Sequence, residues 1–179
     1  MPQPQTRKTA LTVAVDILAR RLVSRAELRS KLVAKKLFPP AEIDAAILTL
    51  TKMGALHDDY LASDVARSYR SRGYGPARIR MALKKRGIAP ELIEQAIEGS
   101  DDDALEPVDN DGETRSEDAE NAFSALRRKA SQLQREPDVR KRKAKAVRVL
   151  VGRGFSYEDA IGAADRWLRE NGAEEEEES

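Results

Sequence analysis

The chain has no cysteine, a single histidine, and aromatic residues at only 4% of its 179 positions. Without cysteine there is no disulfide, no thiol nucleophile and no Cys-ligated zinc or iron–sulfur cluster, and a reducing compartment, the cytoplasm, is the expectation. His57 has no His or Cys partner with which to hold a metal, and the neighbouring Asp58 and Asp59 read as dipole-complementing acids at a helix start rather than as catalytic groups. No apolar run approaches the roughly 20 residues that a membrane-spanning helix needs, and the opening MPQPQTRKT carries no hydrophobic signal core. The expectation is a soluble protein with no membrane partner, no cofactor and no enzymatic activity.

Charge is abundant, at 35% of residues, and almost balanced, with 32 Lys and Arg against 31 Asp and Glu. Its distribution is uneven. Residues 99–118, GSDDDALEPVDNDGETRSED, hold nine acids and one base, and Glu174–Glu178 add five more acids. Setting aside that net −8 and −5, the remainder of a +1 chain carries +14, the electrostatic footprint of a protein that meets a polyanion. The acidic stretch lacks an apolar period and contains Pro107 and Gly112, so it reads as a flexible linker. Pro107–Gly112 superficially resembles a calcium loop, but its first ligand position falls on Pro107, which has no carboxylate.

The rest follows a helical period. Leu11, Val15, Leu18 and Leu22 predict a helix over 9–22, with those four side chains on its core face. Ser24 stands three residues before Glu27, a capping-box spacing that starts a second helix bearing Leu28 and Leu32. Pro40 suits a first helical position ahead of Ile43, Ile47 and Leu50, and Gly54 closes that helix with a left-handed cap. The cycle recurs from Asp58 through Leu61, Val65, Tyr69, Ile79, Leu83, Ile93 and Ile97, with Leu28 and Leu32 matching Ile79 and Leu83 at an offset of 51. Phe123, Leu126, Ala130 and Leu133 predict a helix, Ala146 and Leu150 another, and Ser156 opens a last one with Ala160, Ala164, Trp167 and Leu168. Trp167 and Phe155 read as core. An offset of 67 lays Lys85-Arg-Gly-Ile88 on Gly152-Arg-Gly-Phe155. The expected organisation is all-α: a disordered N-terminus at 1–9, three-helix units at 10–55, 56–98 and 119–171, the acidic linker at 99–118 and an acidic disordered tail at 172–179.

Basic residues gather on the second helix of each unit: Arg25, Arg29, Lys31, Lys35 and Lys36, then Arg78, Arg80, Lys84, Lys85 and Arg86, then Arg140, Lys141, Arg142, Lys143, Lys145 and Arg148. Lys and Arg are also good helix formers that solvate an exposed face, but three recurrences favour phosphate contact. Gly73-Tyr-Gly-Pro76 lacks the strand and the Lys-Ser/Thr of a nucleotide loop, so Gly73 reads as a helix C-cap and Pro76 as a first helical residue.

Ser24-Arg-Ala-Glu-Leu28, Arg70-Ser-Arg-Gly-Tyr-Gly-Pro-Ala-Arg-Ile79 and Arg153-Gly-Phe-Ser-Tyr-Glu158, in that order and one per unit, resemble RecX-type regulatory proteins over about residues 10–98 and 120–170. Lys36-Leu37 departs from a frequent Gly-Phe of such proteins, and the long acidic linker and the Glu tail are additional. The resemblance implies an elongated, curved helical protein in the groove of a RecA filament on single- or double-stranded DNA, suppressing ATP hydrolysis, strand exchange and co-protease activity, with roles in DNA repair, recombination and the SOS response. On that reading Arg25, Arg29, Arg70, Arg72, Arg78, Arg80, Lys84, Lys85, Arg140, Lys141, Arg142 and Lys143 dock the protein by charge. A general nucleic-acid-binding protein that contacts the phosphate backbone without RecA is the alternative. No heptad seam points to a dimer, so a monomer is expected. The acidic segments either compete for the basic faces or serve as solubilising spacers, and the sequence leaves both readings open.

Overall fold

Side chains set most of the helix starts. Thr9, Ser24, Asp138 and Ser156 each accept the backbone N–H of the residue three positions on, and Pro40, Pro76 and Pro90 occupy first helical positions where a missing N–H costs nothing. The resulting helices are α1 (Ala10–Leu18), α2 (Arg25–Ala34), α3 (Pro40–Lys52), α4 (Asp58–Ser71), α5 (Pro76–Lys85), α6 (Pro90–Glu98), α7 (Glu117–Arg127), α8 (Ala130–Leu133), α9 (Val139–Arg153) and α10 (Tyr157–Glu170). They belong to a computed structural model that describes residues 8–99 and 117–171, among which there is no strand. The expected N-terminal disorder, most of the acidic linker and the Glu tail lie outside the described residues. α7 starts at Glu117, so the last two acids of the 99–118 stretch form its first turn, where they complement the helix dipole.

The chain packs as two compact units, one gathering the residues up to Asp64 with Leu83–Ala96, the other Val65–Ala82 with the residues from Ile97 onward. In the first, α1, α2 and α3 close on Val13, Ala14, Val23, Leu28, Leu32, Ile43, Leu50 and Leu56. The capping box at Ser24 and Glu27 is formed, and Gly54 takes the left-handed conformation at φ +68°. α1 corrects the sequence reading: it ends at Leu18, not Leu22, and Leu11, Val15 and Leu22 are exposed. The buried face is Ala10, Val13 and Ala14. This helix is apolar nearly all round, so periodicity did not choose a face, and two alanines permit the close approach to α3 that bulkier leucines would block. The chain leaves the helix early because Val23 is buried and Ser24 must be extended to cap α2.

In the second unit, α7, α9 and α10 enclose Phe123, Leu126, Leu133, Ala146, Leu150, Phe155, Trp167 and Leu168. Trp167 and Phe155 are core residues, as their register implied. The helix expected through Phe123 and Leu133 is broken into α7 and α8: the Lys129 N–H bonds to the Leu126 carbonyl, one residue short of α-helical spacing, and Lys129 sits at φ −111°.

A repeated turn-on-turn joint occurs within each unit. In the first, Arg86-Gly87 lies on the start of α2. Ser24 Oγ donates to the Arg86 carbonyl, Arg86 donates to the Leu22 carbonyl at 2.9 Å and to Glu27 Oε2 at 3.0 Å, and a Cβ on Gly87 would stand 2.5 Å from that of Ala26. In the second, Arg153-Gly154 lies on the start of α5. The Gly75 N–H donates to the Arg153 carbonyl at 3.0 Å, the Ala77 N–H to the Gly154 carbonyl at 3.0 Å, and Arg153 donates to the carbonyls of Arg72 and Gly73, each at 3.0 Å. The partners correspond at the sequence offsets: Leu22 with Gly73 and Ser24 with Gly75 at 51, Arg86 with Arg153 at 67. Gly75 replaces the serine because its backbone is pressed on its neighbour; a Cβ there would lie 2.6 Å from the Gly154 carbonyl and the Phe155 nitrogen.

Gly154, at φ +93° and with a Cβ position 2.6 Å from the Arg78 nitrogen, excludes any side chain, whereas a Cβ on Gly152 meets nothing within 4 Å. Gly154→Ala is therefore expected to lose about 1–3 kcal/mol of stability, and Gly152→Ala in the exposed helix to gain about 0.5–1 kcal/mol. Urea unfolding of the two variants side by side checks the contrast.

Candidate nucleic-acid interface

The cations separate into those tied down and those offered to solvent. In the first unit, Arg29 is exposed but grips Asp44, with Nη2 2.8 and 3.1 Å from the two carboxylate oxygens and Nε 3.1 Å from one. An exposed pair of this kind contributes little stability, yet it orients the guanidinium and offsets its charge at long range. The Arg25 N–H donates to Asp58 Oδ1 at 2.9 Å, and its side chain reaches to 4.0 Å from the same carboxylate. Lys84 and Lys85, at the end of α5, are exposed and share with Lys31 and Ser30 of α2 a groove of about 470 Å³. Basic side chains from two consecutive second helices thus meet at one place within this unit.

Arg86 borders that groove and was grouped with its basic face by sequence. The structure instead turns it onto Glu27 and the Leu22 carbonyl, because the joint needs a long forked donor there. Burial pushes the Glu27 carboxyl up, but hydrogen bonds from Arg86 and the Ser24 N–H, with the charges of Arg86 and Arg21, outweigh it and hold Glu27 below its usual range.

In the second unit, Arg72, Arg78 and Arg80 are exposed. Arg78 and Arg153 lie 5.9 and 5.6 Å from the centroid of the Tyr74 ring, which also meets Tyr69 at 5.4 Å. Arg70 is only 14% exposed; it donates to the Ile97 carbonyl and stands 3.5 Å from Glu117. Arg140 and Lys141 are exposed at the start of α9, with Lys141 4.0 Å from Asp138. Arg142 donates to the carbonyls of Glu136 and Pro137, at 2.8 and 3.2 Å, and Lys143 pairs with Asp165. Of the arginines and lysines named from sequence, Arg29, Arg70, Arg142 and Lys143 are held by close bonds to their own scaffold, and Arg25 and Lys141 stand 4.0 Å from Asp58 and Asp138.

Two arginines escaped the sequence reading. Arg67 and Arg128 line a polar cleft of about 270 Å³ with Arg70, Ser71, Asn121 and Ser124, and Arg128 donates to the Ser71 carbonyl. Neither lies on a second helix, so the repeat that drew attention to the basic ridges was silent about them. The Arg67, Arg70 spacing of three along α4 was the available signal. Among the described residues no group of three His, Cys, Asp or Glu side chains could hold a metal, and no helix is long and apolar enough to cross a membrane.

Capped helices in threes, with a recurrent cationic second helix, define an all-α protein of tandem three-helix domains. Family models for the first, second and third three-helix domains of RecX match residues 10–50, 58–97 and 116–161. Regulatory protein RecX of Thermus thermophilus is 36% identical over 154 residues, covering 86% of this chain and 89% of its own. That of Chromohalobacter salexigens is 32% identical over 155 residues, covering 86% and 90%. The crystal structure of RecX from Lactobacillus salivarius superposes with a TM-score of 0.71 at 20% identity, covering 88% of this chain and 94% of that one, a likeness of fold. The chain belongs to the RecX family, and membership supports a regulatory role.

Because Glu27 is held below its ordinary value of 4.5, its contribution to folding is fully present above that value and is lost as pH falls through it to the folded-state pKa. The acid limb of stability should be less steep in Glu27→Gln, which keeps the capping geometry without the titration. Urea midpoints between about pH 6 and pH 3 read this; an unchanged limb would leave the Arg86 pairing without weight.

Proposed function

We propose that this chain is a non-enzymatic, monomeric, cytoplasmic regulator that binds RecA–DNA filaments in the filament groove and inhibits their recombinase, ATPase and co-protease activities. The observation that carries the reading is the groove where Lys31 of α2 meets Lys84 and Lys85 of α5. Three exposed ammonium groups at one place offer a phosphate backbone or protein carboxylates a local positive field, and weak contacts of this sort sum when several domains engage one filament. Arg25 in the same unit, and Arg72, Arg78, Arg80, Arg140 and Lys141 in the other, are likewise exposed on second helices or just before them. Family membership supports the regulatory half of the proposal, and the recurrence of cationic helices supports the nucleoprotein half.

The test is DNA-dependent ATP hydrolysis by RecA on single-stranded DNA with this protein titrated in. Inhibition is expected at concentrations well below those that coat bare DNA, and Lys84→Glu with Lys85→Glu should raise the half-inhibitory concentration by about tenfold, or about 1.4 kcal/mol. If inhibition appears only where bare DNA is saturated, and vanishes with salt in step with DNA binding, the protein is a general phosphate-backbone binder.

A further inference from the structure

One groove of the third domain is not explained by phosphate contact. It measures about 840 Å³ and runs along α9 beside the first turns of α10. Its apolar lining comes from Val147, Val151, Tyr157 and Ile161, and Arg140 and Arg148 stand along it. Val151 is 45% exposed and Tyr157 69%. The core stripe of α9 is Ala146 and Leu150; Val147, partly buried, packs against the same core, and Val151, one turn further on, is exposed. A surface helix needs one apolar stripe for its own core, and open apolar side chains beside it, here Val151 and Tyr157, mark a contact surface.

We propose that this groove docks an acidic amphipathic segment of a partner protein, its apolar side chains on Val151, Tyr157 and Ile161 and its carboxylates on Arg140 and Arg148. Charge selects the occupant. α9 reads VRKRKAKAVRVLVGR, seven cations and no acid, so the same face of a second copy would be repelled. The chain's own tail supplies carboxylates, but GAEEEEES has no side chain larger than alanine that is apolar. A DNA backbone would meet the arginines and leave Val151 and Tyr157 uncovered. A segment combining carboxylates with apolar anchors at helical spacing satisfies both, the helix-in-groove mode of recognition. The proposal does not rest on RecA binding and is tested without RecA.

The probe is a fluorescein-labelled peptide of about 16 residues with leucine at i, i+3, i+4 and i+7 and glutamate elsewhere, titrated by anisotropy with the full chain. An all-glutamate peptide and a thymidine oligonucleotide of equal length serve as competitors. The peptide is expected to bind, and neither competitor to displace it at equal concentration. Val151→Asp and, separately, Tyr157→Ala should each weaken it by about tenfold or more, with circular dichroism unchanged. Both side chains are substantially solvent-facing, and Tyr157→Ala decides alone should Val151→Asp lose helicity. No binding, displacement by the all-glutamate peptide or by the oligonucleotide, or unchanged affinity in Tyr157→Ala would each overturn the proposal.

Discussion

Much of this molecule depends on a single arrangement, an Arg-Gly turn laid against the N-terminal turn of an earlier helix. At Arg86-Gly87 and again at Arg153-Gly154 the arginine spans to backbone carbonyls, and its own carbonyl accepts a bond, from the Ser24 hydroxyl in one case and the Gly75 N–H in the other. Both glycines have positive φ, and a side chain on either would collide with the facing turn. Hydrogen bonds to a charged donor contribute about 1.5–3 kcal/mol each. A few such bonds at each joint outweigh the slight apolar area that two turns can bury.

That constraint divides the cations. Arg86 and Arg153 serve the joints, Arg166 closes the third domain by packing over Phe123 and pairing with Glu120 and Glu170, and Arg142 satisfies carbonyls before α9. Burial opposes the Arg166 charge, but the two glutamates raise its pKa further, so it stays cationic. Lysines are largely absent from these fixed roles. Lys31, Lys84 and Lys85, flexible and strongly hydrated, remain at the surface where a polyanion can reach them, as expected of a point charge without a fork.

The helices and most of their core were legible where one apolar stripe dominates and the start is explicit: Ser24 with Glu27, Pro40, Pro76, Ser156. α1 was misread where that condition failed, since apolar residues on several faces leave the choice to tertiary packing. The joints were half legible. The register of Arg86-Gly87 with Arg153-Gly154 was visible, but that the arginine turns inward depends on a partner some 60 or 80 residues earlier, Glu27 and Leu22 or Arg72 and Gly73. Nothing local separates such an arginine from Lys84 or Lys85 beside it. The exposed Val151 beside Tyr157 was hidden for the converse reason: in a helix as basic as α9, charge masks a lone open valine.

The division of cations into joint and surface is tested most directly by two variants read in the same pair of assays. Arg86→Gln should lower the urea midpoint, by about 1.5–3 kcal/mol of stability, while the folded protein keeps its affinity for single-stranded DNA. Lys84→Gln with Lys85→Gln should leave the midpoint in place and weaken DNA binding, with a shallower salt dependence. The opposite pairing, with DNA affinity lost in Arg86→Gln and stability lost in the lysine variant, would contradict the account.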